Sequence, residues 1–322
     1  MIGYVVRRLL AAVLVLFAIS VLVFLIFFAT PGVDPAARIA GRSATPQVLA
    51  QVRREFGLNQ PIPIRYALMM DHLFVKRDLT SYVNIGDKVD PQILAAAPVT
   101  LSLVVGAAVI WVVLGVAGGV LAAAFRGSFV DPLIMIAGIA AISIPAYWLG
   151  EVVNLITQSR LHSTVFSWVP PPGYVSINHP LSWALHLLFP WLTLAVLFAG
   201  IYARVLRGEL VSALTEDYVR TARAKGLSER RVLLRHALRC SLISIVSLFG
   251  LDFGALVGGG ALLTEVVFGL PGVGKLTYDS LQNLDLPVIM GAVMYGAFFV
   301  VLANAVVDVL YAWLDPRVRR VA

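Results

Sequence analysis

Three kinds of residue in this chain could do chemistry: a glycine-rich stretch, acidic side chains within apolar runs, and one dense basic segment. The glycine-rich stretch, GLPGVGK at residues 269–275, has the G-x-x-x-x-G-K spacing of a phosphate-binding loop. Leu276 follows it, so the Ser or Thr that would hold magnesium is missing, and no strand is predicted before it. We therefore expect a Gly/Pro-rich loop at a membrane surface and no nucleotide site in the chain.

Acidic side chains occur inside or beside long apolar runs at Glu151, Asp252 and Asp308. A carboxylate in hydrocarbon is a candidate for function by default, because it costs about 2.5–3.5 kcal/mol for Asp at a helix centre. Asp252 is the most central of the three. It could line a path across the membrane, or it could bond to a neighbouring helix, for example to a Ser or Asn. Glu151 and Asp308 lie nearer the membrane faces, which favours a structural role, and Asn154 is a weaker candidate of the same kind.

Metal and nucleophile chemistry find no support in the sequence. The five histidines are scattered, without a pair at ligand spacing on one predicted helix, and neither G-x-S-x-G nor H-E-x-x-H occurs. Cys240 is the single cysteine, so it cannot form an internal disulfide. We expect no metal site and no catalytic residue.

The basic segment YVRTARAKGLSERRVLLRHALR, residues 218–239, contains seven Arg or Lys residues and one acid. Its capping signals predict a helix, a glycine turn and a second helix, with Thr215 capping the first helix and Gly226 in a left-handed stop. Val219, Ala222 and Gly226 share one face of the first helix, and their small size would let another surface approach closely.

Three interpretations of this segment compete. It could be a solvated basic loop, a helix-turn-helix that reads DNA, or a docking helix laid into the groove of a cytoplasmic partner. The DNA interpretation is the weakest, because the segment is tethered to apolar runs at both ends and has no third helix to pack it.

The composition identifies the elements that must position these residues. Of the 322 residues 59% are hydrophobic and 13% charged, against about 45–50% and 25% in soluble domains, so we expect an integral membrane protein. Continuous apolar runs predict six spanning helices rather than a barrel. They cover residues 9–29, 100–125, 132–153, 181–203, 242–263 and 288–313. The first run is too long for a signal peptide core and lacks a small-x-small cleavage pattern, so we expect a retained span.

Arginines cluster on one side of the predicted spans, so the positive-inside rule places both termini in the cytoplasm. They are Arg7, Arg8, Arg126, those of residues 218–239, Arg317, Arg319 and Arg320. We divide the chain into an N-terminal end with the first span (1–30), an extracytoplasmic loop subdomain (31–97) and a five-span core (98–322). The core contains the cytoplasmic loop 204–241.

The sequence TEDYVRTARAKGLSERRVLLRHALR resembles the cytoplasmic coupling loop of ABC-transporter permease subunits. Within it, YVRTARAKGL resembles the sequence of the dipeptide/oligopeptide importer branch. Against the general pattern Glu-Ala-Ala-x-x-x-Gly, the chain has Arg220, Thr221 and Ala222, then Gly226. The Arg-Thr pair is how the peptide branch usually reads, whereas Ser244 stands where that branch commonly has proline. The N-terminal YVVRRLL and the stretch at residues 262–289 are similar to the same branch, and the long loop after the first span resembles its B-type subunit.

This resemblance implies a six-helix permease subunit with the type I ABC importer fold, in the cytoplasmic (inner) membrane and surrounded by lipid. It implies a second permease subunit, two cytoplasmic ATPase subunits that bind ATP and magnesium, an external solute-binding protein, and no nucleic acid. The chain itself would be a transport subunit without a cofactor, not an enzyme, and would form half of a path for peptides. Dipeptides, longer peptides, glutathione, a nickel chelate and other small solutes are all compatible with the subfamily.

The resemblance also implies roles for particular residues. The ATPase-coupling set comprises Arg220, Thr221, Ala222, Arg223, Ala224, Lys225, Gly226 and Leu227. The candidates for contact with the binding protein are Glu265, Phe268, Pro271, Gly272 and Gly274. The candidates for the translocation path are Asp252, Asn154, Glu151 and Asp308. The alternative from another class is an ion-coupled secondary transporter that uses Asp252 as its proton site and needs no ATPase.

Overall fold

The computed structural model describes residues 2–28, 36, 45–55, 57–84 and 86–314. Helices dominate the described residues, which contain no strand apart from an isolated antiparallel bridge between Thr80 and Lys88. The predicted all-α class is therefore confirmed. The side chain of Asp308, the arginines at 317, 319 and 320, and parts of the loop 31–97 lie outside the description.

Twelve helices follow one another in the described part of the chain. In order they are α1 Ile2–Phe28, α2 Pro46–Glu55, α3 Ile62–Met70, α4 Val89–Ala124, α5 Val130–Ser143, α6 Ala146–Thr157, α7 Pro180–Ala213, α8 Asp217–Ala224, α9 Glu229–Gly260, α10 Leu262–Val267, α11 Val273–Asn283 and α12 Leu286–Leu314. A π-helical turn, Asp71–Lys76, continues α3, and two further π-helical turns lie within α9.

Four of these helices are long and apolar enough to cross a membrane: α4, α7, α9 and the Leu286–Val307 part of α12. The pair α5 and α6 passes the same test together, and α1 contributes a shorter apolar stretch, Leu10–Ile26. Each of the six predicted runs thus corresponds to helix. By length and composition the described residues contain four spans, or five with the bent pair, so the count of six stays a prediction.

The third predicted span, residues 132–153, is not one straight helix. Its two halves, α5 and α6, meet at an angle of 91°. Ile144 is extended, with φ −101° and ψ 120°, and Pro145 follows it. A residue before proline is pushed out of the α region, and proline supplies no backbone donor, so the helix breaks there. The break places the later residues of this run on a helix of their own.

The chain divides into two compact units, of which the first comprises residues 1–100, 257–262 and 271–302. One buried cluster in it joins α1, α3 and α12 through Phe24, Met69, Leu73, Tyr82, Leu286, Ile289, Met290 and Met294. The buried carboxylate of Asp285 accepts hydrogen bonds from the hydroxyl of Ser81 and, at 3.0 Å, from the N–H of Tyr82. This part of the loop before α4 is therefore fixed to the start of α12.

The second unit comprises residues 101–256, 263–270 and 303–322. Its helices approach closely where small residues face each other, as expected in membranes. A Cβ built at Gly115 of α4 would lie 2.5 Å from the Cβ of Tyr202 on α7. One built at Gly200 of α7 would lie 2.7 Å from the carbonyl oxygen of Gly138 on α5. These glycines let α4 and α5 pack directly against α7.

An ion pair fixes the beginning of α5 to α7. The guanidinium of Arg207 donates to both carboxylate oxygens of Asp131, from Nη2 at 2.7 Å and from Nε at 3.0 Å. Asp131 is buried, and this two-bond geometry is the stronger form of an Arg–carboxylate contact. The pair lies six residues before the end of α7, next to the segment that precedes α8.

Candidate coupling and translocation sites

The basic segment folds as α8, a glycine turn and the first part of α9. Asp217 lies in the first turn of α8, where the helix dipole favours a negative charge. Thr215 was predicted to cap this helix, but Glu216 occupies the cap position. The hydroxyl of Thr215 instead donates to the carbonyl of Ser212 at 2.7 Å. The left-handed stop at Gly226 is confirmed by its φ of 76°.

One face of α8 packs against the chain itself. Val219 and Ala222 are buried together with Val232 of α9, and Leu214 and Leu227 pack around them. The prediction that Val219 and Ala222 present an open face to a partner is therefore wrong. Their small, apolar side chains attach α8 to the beginning of α9 instead.

The opposite face of α8 is exposed. We call it the outer face of α8; its members are Tyr218, Arg220, Thr221 and Ala224, together with Lys225 and Gly226 of the turn that follows the helix. Gly226 does not continue the face of Val219 and Ala222, because its left-handed conformation ends the helix. Lys225 forms no ion pair with any described residue, and Arg220 makes one contact of 3.3 Å with Asp217, in which both side chains are largely exposed. The outer face is thus basic and open to a partner.

Arg223 is engaged within the chain. It donates to the two carboxylate oxygens of Glu229 at 2.8 and 3.0 Å, and to the carbonyl oxygen of Leu214 at 3.3 Å. The hydrogen bond to Glu229 raises the pKa of Arg223 above its ordinary value. These contacts connect the end of α7, the helix α8 and the start of α9, so Arg223 is not a free cation for an acidic partner.

Asp252, in the middle of α9, is half-buried and accepts a hydrogen bond from the hydroxyl of Tyr202 on α7 at 3.0 Å. Tyr202 is fully buried beside Trp111, with ring centroids 6.2 Å apart, and Phe198 and Phe249 also pack on Trp111. Of the two roles considered for Asp252, the bond to a neighbouring helix is therefore present. Its partner is a tyrosine rather than the Ser or Asn given as examples.

The two polar candidates on α6 differ in their surroundings. Asn154 donates from Nδ2 to the carbonyl oxygen of Val267 at 2.9 Å, so it attaches α6 to the end of α10. Glu151, one turn earlier, is exposed and has no hydrogen bond or ion pair with a described residue. Of the two, Glu151 has its polar atoms available to a ligand.

The segment expected to contact a binding protein is mostly buried. Glu265 and Phe268 are 0% and 4% exposed, Gly272 and Gly274 are buried, and Pro271 is exposed. Burial therefore removes four of the five candidates from direct contact. A helix, α10, precedes the G-x-x-x-x-G-K stretch in the chain, and Gly272 within that stretch caps α11, so its surroundings are not those of a phosphate-binding loop.

Residues 115–320 match the family described as binding-protein-dependent transport system inner membrane component. The chain belongs to this family. Residues 1–104 match the N-terminal region described for membrane components of the same transport systems. The two matches together extend over nearly the whole of this inner membrane component.

Curated relatives of this inner membrane component match over almost its full length. The glutathione transport system permease protein GsiC of Escherichia coli O6:H1 is 39% identical over 99% of each chain. The probable D,D-dipeptide transport system permease protein DdpB of Escherichia coli K12 is 36% identical over 96% of this chain and 95% of its own. A probable peptide ABC transporter permease protein of Sinorhizobium fredii is 35% identical over 98% and 99%.

The family establishes the class of this inner membrane component. It is a membrane permease subunit of an ATP-driven importer, and hence a transport component. These matches favour the ABC importer over the ion-coupled secondary transporter considered from the sequence.

Two side-chain contacts in the second unit could not be predicted from the sequence. Asp131 and Arg207 are 76 residues apart, and Tyr202 and Asp252 are 50 apart. Neither pair has a local spacing that indicates contact. The Arg223–Glu229 pair left a weaker signal, because its two residues flank a predicted glycine turn and have opposite charges.

Proposed function

We propose that this inner membrane component carries peptides and forms half of their pathway, the other half being a second permease subunit. Two cytoplasmic ATPase subunits bind ATP and magnesium and drive the cycle, and an extracytoplasmic solute-binding protein delivers the cargo. The names of the relatives, which concern glutathione, D,D-dipeptides and peptides, support this class of cargo. The observation that carries the proposal is the basic outer face of α8 on a helix fixed to the start of α9.

The outer face of α8 docks in a groove of an ATPase subunit. Arg220 and Lys225 supply positive charge for acidic groups there, and Thr221, Ala224 and Gly226 allow close approach because they are small. Electrostatic complementarity of this kind favours the correct partner and speeds the encounter. Both chain termini face the cytoplasm in this arrangement, on the same side as α8.

Residues on the inner side of α8 have a positioning role. Ala222 and Leu227 pack toward α9, and Arg223 binds Glu229. Movement of the docked α8 is therefore passed to α9, which continues into the membrane without a break from Glu229 to Ala255. The cavity between the permease subunits switches between outward and inward access in response.

Of the path candidates, Glu151 is the one we assign to cargo. Asp252 and Asn154 serve contacts between elements of this chain, through Tyr202 and Val267. Asp308, near the end of α12, stays a candidate by its position in the sequence. Pro271 and the loop subdomain 31–97 meet the binding protein, while the buried Gly272 and Gly274 support Pro271 from within the same unit.

The test is affinity purification of the chain from its native membrane in mild detergent, with mass spectrometry of the proteins that accompany it. We expect an ATPase subunit to be recovered with the wild-type chain and lost with the double variant Arg220→Glu, Lys225→Glu. Lys88→Glu is the matched control, because it reverses an exposed charge in the loop before α4. A chain recovered without any ATPase, or an ATPase retained equally by the double variant, would contradict the proposed docking.

A further inference from the structure

Two adjoining cavities in the second unit share the side chains of Trp148 and Glu151. One has a volume of about 430 Å³ and is completed by Tyr147, Val266 and Val267. The other has a volume of about 510 Å³ and extends along α6 to Ser159. Both volumes lie in the range of about 300–1,000 Å³ that small-molecule sites occupy.

Among the described residues, Glu151 is the only charged one that lines either cavity, and Tyr147 is the only other titratable one. The carboxylate is exposed and unpaired among the described residues, although α6 belongs to an apolar, broken span. A carboxylate in such a segment faces water or a partner rather than hydrocarbon, because lipid cannot solvate its charge. The site therefore offers negative charge to an aqueous ligand.

Two aromatic rings stand beside this carboxylate. Tyr147 is 46% exposed and Trp148 53% exposed, and both line the same cavity as Glu151. The face of an indole or phenol ring attracts a cation, with Trp the best of the aromatic residues. A carboxylate that accepts hydrogen bonds and aromatic rings that attract a cation are together suited to bind an organic ammonium group.

The wall that carries these side chains is tightly packed. Asn154 binds the carbonyl of Val267, and a Cβ built at Gly150 would lie 2.9 Å from the ring of Phe268. The helix α6 is thereby held against residues 266–268, so Glu151 and Val266 line one cavity from two attached elements. Such support from packed neighbours is what a binding site needs to keep its geometry.

We propose that Glu151, with Trp148 and Tyr147, binds the protonated α-amino group of the peptide during its passage; this rests on the proposed peptide cargo. Every unmodified peptide carries this group in its charged form at neutral pH, because the α-amino pKa is about 7.7–8.0. A metal ion is a poorer ligand here, since the described residues contain no group of three or more His, Cys, Asp or Glu that could hold one. An uncharged ligand would leave the carboxylate unpaired.

The experiment uses the complete transporter in proteoliposomes, with its binding protein, and radiolabelled alanyl-alanine and glutathione as probes. Import is compared for the wild type, Glu151→Gln, Glu151→Asp and Trp148→Leu. Glu209→Gln is the control, because it neutralises an exposed carboxylate on α7, outside the cavities. Basal ATP hydrolysis and the affinity of the binding protein for the membrane complex are measured for each variant.

We expect Glu151→Gln to raise the KM for import by about tenfold, which corresponds to about 1.4 kcal/mol, with basal ATP hydrolysis and binding-protein affinity unchanged. Glu151→Asp restores part of the loss, Trp148→Leu has a smaller effect, and Glu209→Gln has none. Raising the external pH through about 8 removes the charge of the peptide's amino group. The ratio of wild-type to Glu151→Gln import therefore falls toward one.

A ratio that stays constant with pH, or equal KM values for wild type and Glu151→Gln, would overturn the assignment of the amino group to Glu151. Weakened affinity for the binding protein with a constant ratio would also overturn it, in favour of a docking role. If the wild-type complex hydrolyses ATP but imports neither probe, the proposed peptide cargo itself is wrong. These results are distinguishable because they appear in different measurements.

Discussion

The guanidinium of Arg223 and the carboxylate of Glu229 form two parallel hydrogen bonds, at 2.8 and 3.0 Å, across the glycine turn between α8 and α9. Arg223 also reaches the carbonyl oxygen of Leu214, just beyond the end of α7. Three successive elements are thus connected by one side chain. The basic residues of the segment 218–239 therefore have two roles. Arg223 fixes elements of the chain to each other, whereas Arg220 and Lys225 are exposed to a partner.

Replacing Arg223 tests this division of roles. We expect Arg223→Gln to leave the ATPase bound but to lower ATP-driven import several-fold, because α8 can then shift without moving α9. Arg230→Gln, which alters an exposed arginine without an ion pair to any described residue, should have little effect. Import into proteoliposomes and co-purification of the ATPase are the two measurements. Loss of the ATPase with Arg223→Gln, at unchanged folding, would mean that Arg223 itself docks.

The hydrogen bond between Tyr202 and Asp252 supports the packing of α7 against α9. Tyr202→Phe should destabilise the purified chain by about 0.6–1.7 kcal/mol, the range measured for such bonds between membrane helices. Asp252→Asn keeps an acceptor for the tyrosine, so we expect near wild-type thermal stability and import. Tyr278→Phe is the control, because Tyr278 forms no hydrogen bond with a described residue. Import abolished by Asp252→Asn in a stable chain would show that the charge of Asp252 acts on cargo or protons.

The turn between α8 and α9 requires the left-handed conformation at Gly226, where φ is 76°. A built Cβ there meets nothing within 4 Å, so substitution changes backbone strain alone. Gly226→Ala should cost about 1–2 kcal/mol, whereas Gly226→Asn should cost less because Asn tolerates this conformation. Thermal unfolding of the three chains in detergent gives the comparison. Equal stability of the Ala and Asn variants would indicate that the turn adopts another conformation.

The contact between α5 and α7 predicts a strong size limit at Gly200. Gly200→Ala places a methyl group within 2.7 Å of the carbonyl oxygen of Gly138 and should cost about 1–3 kcal/mol through overpacking. Gly208→Ala, on the same helix, meets no atom within 4 Å and should be neutral or stabilising. The paired thermal unfolding curves decide the matter. A Gly200→Ala chain as stable as Gly208→Ala would refute the close crossing.

The loop before α4 should lose order in acid. His72 forms a 2.6 Å contact with Asp78, and this hydrogen bond lowers the pKa of Asp78 below its ordinary value. Because the folded pKa is the lower one, the contribution is complete above the unfolded pKa of about 3.9 and is lost as the pH falls through the folded pKa. Limited proteolysis of this loop should therefore accelerate in acid for the wild type. Asp78→Asn, compared at each pH, should show no such change.

The apolar pattern was sufficient to predict the helical class and the position of the long helices, because burial in lipid requires continuous apolar helix. The left-handed stop at Gly226 was predicted correctly, since a positive φ leaves few residue types as alternatives. The 91° break at Ile144–Pro145 was missed, although proline supplied a local signal. The apolar run continues on both sides, and composition alone cannot distinguish a bent pair of helices from one span.

The candidate sites were harder to predict, because exposure depends on contacts distant in sequence. The amphipathic pattern of α8 located Val219 and Ala222 on one face but could not show whether a partner or the chain itself covers it. Glu151 and Asp252 looked alike as carboxylates in apolar runs. In the fold the two differ, because Tyr202, 50 residues from Asp252, donates a hydrogen bond to Asp252, whereas Glu151 is exposed.

The continuity of α9 turns a small rotation into a large displacement. Its continuous part, Glu229 to Ala255, has 27 residues and extends about 40 Å at the rise of an α-helix. Tilting such a rod by about 10° about one end moves the other end by roughly 7 Å, more than one helical turn of about 5.4 Å. Because α8 is attached at the Glu229 end, a small shift of α8 on the proposed docking would be enlarged at the Ala255 end. In that mechanism α9 is a lever arm, and its gain is set by helix length rather than by any single contact.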